Sequence, residues 1–260
     1  MSKNYNRYKV LIWTLLSLML CMSQLNAAEN LSPDEIKNII REIDQLYRSD
    51  NSYSELEMEI VTPNWQRTLE MMAWSSGMDK TFVRIISPKK EKGIATLRIK
   101  SEMWNYLPKI NKVIKIPPSM MMSSWMGSDF TNDDLVKEFS LFEDYTYKLI
   151  QAENGAEDLL YIDCIPRQDL PVVWSHIVIA VRKENHMPVW QKYYDEKDRL
   201  MRVLNYSQIK SFDNRTLPSV MELIPQNKEG HKTIIRYLKL QFNLKVEEEI
   251  FSLRNLRASQ

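Results

Sequence analysis

Residues 54–60 read Ser54-Glu55-Leu56-Glu57-Met58-Glu59-Ile60. Acidic and apolar side chains alternate there with a period of two. This is the pattern of a strand with one face in a core and one in water, because successive Cβ atoms point to opposite sides of an extended backbone. A helix would scatter the same three apolar residues around its circumference.

Outward from that stretch the period persists. Strands are expected at 68–74, 81–86, 94–99, 103–107 and 112–116. Further on, Tyr145, Tyr147 and Leu149 alternate with Asp144, Thr146 and Lys148, and more strands are expected at 159–165, 177–181, 189–194 and 201–209. A last one sets Leu238, Leu240, Phe242 and Leu244 against Lys239, Gln241 and Asn243. Connections are short and carry Pro63-Asn64, Ser76-Gly77, Ser87-Pro88, Lys92-Gly93, Asn154-Gly155 and Glu229-Gly230, as antiparallel hairpins require. Half-apolar, half-charged strands imply an antiparallel sheet with one solvated face.

Helix is scarce. Ser32-Pro33-Asp34-Glu35 is a capping box with proline at the first helical position, and Ile36, Ile39, Ile40 and Ile43 follow at helical spacing. Thr131 caps a short turn of Asn132, Asp133, Asp134 and Leu135. The expected fold is therefore mainly β (α+β): a curved antiparallel sheet forming an incomplete β-barrel. The N-terminal helix, with its Ile36, Ile39, Ile40 and Ile43 stripe, and the short helical lid cover its concave face. A closed barrel is the alternative.

Residues 1–27 have the form of a secretory signal. Lys3, Arg7 and Lys9 precede an apolar run over 10–22, and Leu25-Asn26-Ala27-Ala28 stands before Glu29. That run is short for a membrane span. An acylated Cys21 would need a small residue where Leu20 stands. Residues 28–260 then form one exported domain, expected in the periplasm of a Gram-negative envelope. Loss of the leader turns the formal charge from +1 to −2, so no general basic field attracts nucleic acid. Cys164 alone remains, and within Leu159-Leu-Tyr-Ile-Asp-Cys-Ile165 it reads as a buried strand residue.

Between the two sets of strands lies an unusual segment. Met103-Trp104-Asn105-Tyr106-Leu107-Pro108 and a basic strand lead into Pro117-Pro118-Ser119-Met120-Met121-Met122-Ser123-Ser124-Trp125-Met126-Gly127-Ser128-Asp129-Phe130. Turns normally carry polar residues. Met103, Trp104, Tyr106, Met120, Met121, Met122, Trp125, Met126 and Phe130 fit a greasy pocket, since thioethers repack around irregular cargo. They equally fit an arrangement with Trp104 and Tyr106 in the core and Met120, Met121 and Met122 plugging the end of a barrel.

These residues resemble the signature of the outer-membrane lipoprotein-sorting proteins, the LolA-like periplasmic carriers. Trp104, Tyr106, Pro108, Gly127, Ser128, Asp129, Phe130, Asp134 and Leu135 fall in that family's order and spacing. The resemblance implies an incomplete barrel whose interior receives lipid or lipoprotein acyl chains and which works between membrane components; a monomer is expected. The implied partners are an inner-membrane exporter of RND/MMPL type or an outer-membrane acceptor. The block departs from plain LolA, so a different lipid, or a regulatory role beside an exporter, is equally compatible. The alternative is a periplasmic adaptor that docks on an exporter through the Met/Trp loop and carries no cargo.

Catalytic chemistry is not legible. His176, His186 and His231 are widely separated, and five glycines leave no phosphate-cradling loop. Asp129, Asp133, Asp134 and Glu138 cluster, but without the alternating ligands of a calcium loop. No enzyme activity, metal or cofactor is expected.

Overall fold

The computed structural model describes residues 31–136, 140–151, 156–168 and 172–258. The expected leader, Asn154-Gly155 and Glu138 lie outside the described residues. Residues 1–35 and 36–260 form two units by their contacts. In the first unit, the Ser32 backbone N–H and hydroxyl donate to Glu35 Oε2 at 2.7 and 2.8 Å. The Glu35 N–H returns a bond to Ser32 Oγ at 3.3 Å, completing the capping box that opens helix α1 (Pro33–Gln45).

Residues 36–260 carry one antiparallel sheet of 13 strands that does not close into a barrel. The first six strands are β1 (Asn51–Val61), β2 (Gln66–Ser76), β3 (Lys80–Ser87), β4 (Ala95–Ile99), β5 (Glu102–Leu107) and β6 (Lys112–Lys115). The later ones are β7 (Tyr145–Ile150), β8 (Leu159–Pro166), β9 (His176–Arg182), β10 (Pro188–Tyr194), β11 (Leu200–Phe212), β12 (Arg215–Pro225) and β13 (Lys232–Phe242). Each set runs hairpin by hairpin, and β1 pairs with β13 to join them. The edges are β6 and β7, which are consecutive in sequence. The chain between them must therefore cross the whole sheet, and this crossing builds the site.

Register separates two faces. On the inner face Leu56 opposes Met71, Met58 opposes Leu69 and Ile60 opposes Thr233. Met58, Ile60, Leu69, Met71, Val83, Ile85 and Met103 form its core. The outer face of β1–β6 carries a cross-strand row of Tyr53, Trp74, Phe82, Leu97 and Trp104, with Trp74 ring centroids 5.1 Å from Tyr53 and 5.8 Å from Phe82.

Over β3–β6 this outer face is not left to solvent. A 3₁₀ turn (Glu248–Phe251) and helix α4 (Leu253–Arg257) bury Phe251 and Leu256 against Phe82, Leu97 and Tyr106. Arg84 ties them down by donating to the carbonyls of Asn255 and Ala258. The terminal elements are too short for periodicity to reveal them.

Two strands depart from the sequence reading. At β13, Glu55 pairs with Lys239 but Leu56 pairs with Tyr237, so Leu238 is an extra residue in a bulge. The phase shifts there, leaving Leu238 56% exposed and Leu240 5% exposed, although the alternation placed both on one face. Strand β12 was not among the expected strands, and it carries Pro218, which has no N–H to give to a ladder. There Pro218 opposes Ile209, and its carbonyl accepts from the Tyr47 hydroxyl at 2.7 Å.

Helix α1 buries Ile36, Ile39, Ile40 and Ile43 as its stripe implied. Tyr47 stacks on Tyr237 at 5.7 Å and Glu42 meets His186 at 2.7 Å, joining the helix end to β13 and the β9–β10 turn. Ile40 is fully buried. Its replacement by alanine should cost about 2–5 kcal/mol, read by urea denaturation. A loss below about 0.5 kcal/mol, the range of a surface substitution, would show that the helix does not cover the core.

Candidate functional site

Residues 116–136 and 140–144 lie across the inner face and touch successive elements. Ile116 N–H donates to Met103 O on β5 at 2.9 Å, and the Trp125 indole N–H donates to Thr96 Oγ1 on β4 at 3.1 Å. Arg67 on β2 donates to the Met126 carbonyl. Asp129 N–H donates to Thr233 Oγ1 on β13 at 2.9 Å, and the Thr233 hydroxyl donates to Asp129 Oδ2 at 2.8 Å. Helix α2 (Asn132–Val136) then brings Asp134 to Arg202 on β11, and just before helix α3 (Leu141–Asp144) the Ser140 hydroxyl donates to Asp44 of α1 at 3.0 Å. It is a strap pinned along its length.

Its tightest point explains Trp125-Met126-Gly127-Ser128. The Ser128 N–H donates to Trp125 O at 2.9 Å, and Met126 and Gly127 have φ of +52° and +75°, the signature of a type I′ turn. Glycine suits the second position doubly, since a Cβ there would stand 3.3 Å from Arg67 Nη2.

Under strap and helix lies a cavity of about 530 Å³. Leu56, Met71, Ala73 and Val83 wall it on one half of the sheet and Ile177, Ile235 and Leu240 on the other, while Trp125, Phe130 and Leu135 roof it from the strap and Ile43 from α1. One end is polar. Arg202 donates to both Asp134 oxygens at 2.8 and 2.9 Å, and its guanidinium lies 4.3 Å from the Tyr193 ring and 4.5 Å from the Trp174 ring. Asp134 also accepts from Thr131 N–H at 2.8 Å and Thr131 Oγ1 at 2.9 Å, the capping box of α2.

Burial, the largest influence on Asp134, pushes its carboxyl up. The hydrogen bonds and charge of Arg202, with the Thr131 donors, together outweigh it and hold the carboxyl below the usual range. Burial likewise raises the phenols of Tyr193 and Tyr206, which line the same end.

The nine residues named from the Met/Trp block part company. Trp125 and Phe130 line the cavity. Met103 sits in the inner core, with Met121 and Met126 packed against it. Trp104 and Tyr106 point to the outer face and pack with Phe251 and Leu256, because alternation along β5 sends them opposite to Met103. Met120 and Met122 are exposed at 48% and 52%. Of the helix stripe, Ile43 reaches the cavity.

Sequence reasoning missed Arg202, Trp174, Tyr193, Tyr145, Tyr206 and Tyr237, all of which line the cavity. One signal was available: Arg202 shares strand parity with the buried Leu204, and a charge on an inward parity asks for a partner. The partner lies 68 residues away in sequence. Asp129 and Asp134 turn to different partners, Thr233 and Arg202, and among the described residues no cluster of three His, Cys, Asp or Glu side chains is placed to hold a metal. Cys164 is buried in β8, and burial pushes its thiol up. No described helix is long and apolar enough to cross a membrane.

The chain is similar to the crystal structure of a DUF1329 family protein from Desulfovibrio piger, at 25% identity and a TM-score of 0.76, covering 87% of this chain and 100% of that one. A putative outer membrane lipoprotein-sorting protein domain from Vibrio parahaemolyticus matches at 22% identity and a TM-score of 0.71, covering 85% and 98%. A LolA superfamily protein from Nitrosomonas europaea matches at 18% and 0.69, covering 84% and 98%. The last two likenesses are of fold. No curated protein matches the sequence. Residues 77–258 match a family model described as "-like: Uncharacterized protein"; the chain belongs to that family, and its fold is that of the LolA-like lipoprotein-sorting proteins.

Proposed function

We propose that the protein is a periplasmic, non-enzymatic carrier, exported by a leader over residues 1–27, that holds an acyl chain of a lipid or lipoprotein in the cavity and moves it between membrane components beside an RND/MMPL-type exporter. The observation that carries this reading is the cavity itself. Its volume of about 530 Å³ lies inside the roughly 300–1,000 Å³ range of small-molecule sites, and its lining is mainly apolar, with Arg202 and Asp134 at one end and Arg48, Ser52 and Ser75 among the polar residues elsewhere. An amphipathic guest is the natural fit, with its chain along Leu56, Met71 and Ile235 and its polar end toward Arg202 and Asp134. The likeness in fold to a lipoprotein-sorting domain and a LolA superfamily protein supports the same class of guest.

Native mass spectrometry of freshly isolated protein should find bound lipid. With lipid stripped, affinity for a series of fatty acids should fall about fourfold for each methylene removed, as expected from about 0.8 kcal/mol per buried CH₂. An affinity independent of chain length would remove the cavity from the function. The adaptor reading has its own observation, the exposed Met120 and Met122. It takes over if the protein carries no lipid, takes up no fatty acid and still binds an exporter.

A further inference from the structure

The formal charge of the chain is only +1, but the fold gathers its lysines. Register places the β1–β2, β3–β4, β5–β6 and β12–β13 turns at the same end of the sheet: Val61 faces Gln66 and Lys232, Glu70 faces Ser87, and Leu107 faces Lys112.

Close contacts join these turns into one rim. A Cβ on Gly230 would stand 3.0 Å from Pro63 Cγ, and one on Gly93 would stand 3.5 Å from Pro108 Cγ. Arg67, beside the first turn, pairs with Glu91 of the second at 3.3 Å. Along this rim Lys89, Lys90, Lys92, Lys109 and Lys112 are all exposed. None of these five makes an ion pair among the described residues. Of the acids nearby, Glu91 turns to Arg67 and Asp129 to Thr233 and the flanking Lys228, while Glu70, opposite Ser87, is exposed. Glu229 alone stays exposed among the carboxylates of these four turns.

Two large apolar side chains project from the rim. Trp65 is 46% exposed at the tip of the first hairpin, where its carbonyl accepts from Thr62 N–H at 2.9 Å and Arg67 lies 5.5 Å from its ring. Ile110 is 56% exposed at the tip of the third.

We propose that this rim docks the protein on an anionic bilayer surface. Protein interfaces deplete lysine and concentrate aromatic residues and arginine in a continuous buried patch. Here the apolar groups stand singly on separate tips within a field of unpaired lysines. Tryptophan and lysine together suit the headgroup layer, where the ring lies between chain and water and each ammonium meets a lipid phosphate. The reading does not depend on what the cavity holds.

Flotation of the full chain with vesicles rich in phosphatidylglycerol, against vesicles of phosphatidylcholine alone, tests it. The protein should float with the former, leave them as salt is raised and ignore the latter. Lys89→Glu/Lys90→Glu/Lys92→Glu should weaken partition by about a hundredfold or more, at about fivefold per lysine lost. Trp65→Ser should weaken it further at every salt concentration, and Lys210→Glu on β11 should leave it unchanged. Each variant's thermal transition is followed alongside, so a folding defect is recognised. Failure to float with anionic vesicles, equal flotation with both kinds, or normal flotation of the folded triple variant would overturn the proposal. So would retention on immobilised polyglutamate by a protein that ignores both vesicles, since that would assign the rim to an acidic polypeptide.

Discussion

Replacing Asp134 by alanine is expected to destabilise the fold by about 3–5 kcal/mol, among the largest effects of any single change in the strap. The reason is what it leaves behind. The Arg202 and Asp134 side chains are only 12% and 19% exposed, and the guanidinium packs against the Trp174 and Tyr193 rings, so the cation could not readily recover its lost partner from water. A joint change of Asp134 to Leu and Arg202 to Met removes both charges together and should cost far less than either single change.

The same pair sets an acid limit. Asp134 titrates below its ordinary value in the folded protein. Its contribution is therefore fully present above the unfolded carboxylate pKa of about 3.9 and is lost as pH falls through the lower folded value. Chemical denaturation followed from neutral pH into acid should show a loss of stability that the double variant lacks. If Asp134→Ala costs under about 1 kcal/mol, the pair is a surface-like contact and the strap is not anchored there.

How much of this was legible depended on the range of the cause. The alternation of Leu56, Met58 and Ile60 is local, and it placed all three on the inner face; the isoleucine stripe of α1 likewise buried as its spacing required. Leu238 defeated the same reasoning because a single bulged residue shifts the phase, and nothing in the flanking alternation marks it. The site was harder. The Met/Trp block was visible as apolar residues where a turn should be polar, and Trp125 and Phe130 do reach the cavity. Yet Trp104 and Tyr106 belong to the other face, which parity along β5 could have told. The Arg202 end joins β11, α2, β10 and residue 174, a meeting that only the strap's crossing creates.

The Trp125→Ala variant should lose about 3–5 kcal/mol in chemical denaturation. Trp125 is 5% exposed and packs in the inner core with Met58, Met71, Val83 and Met103, so truncation opens a void that the pinned strap cannot collapse to fill. It also removes the indole donor from Thr96 Oγ1, whose hydroxyl keeps its own bond to Asn105 Oδ1. Trp125→Phe keeps most of the apolar volume and removes the indole donor, so it should cost nearer the 0.5–1.5 kcal/mol of one hydrogen bond, plus a smaller void. By contrast Met122→Ser, at an exposed position, should change stability by less than about 0.5 kcal/mol.

This ordering decides how cargo can be tested. A combined change of Met121, Met122 and Trp125 to serine would unfold part of the roof and report on stability, whatever the cavity holds. Trp125→Phe is the informative variant. If the indole roofs the bound chain, fatty-acid affinity should fall in that variant by more than in Met122→Ser while its fold persists. Equal affinities for the two would confine Trp125 to a structural role and leave Phe130 and Leu135 as the strap's contacts with the guest.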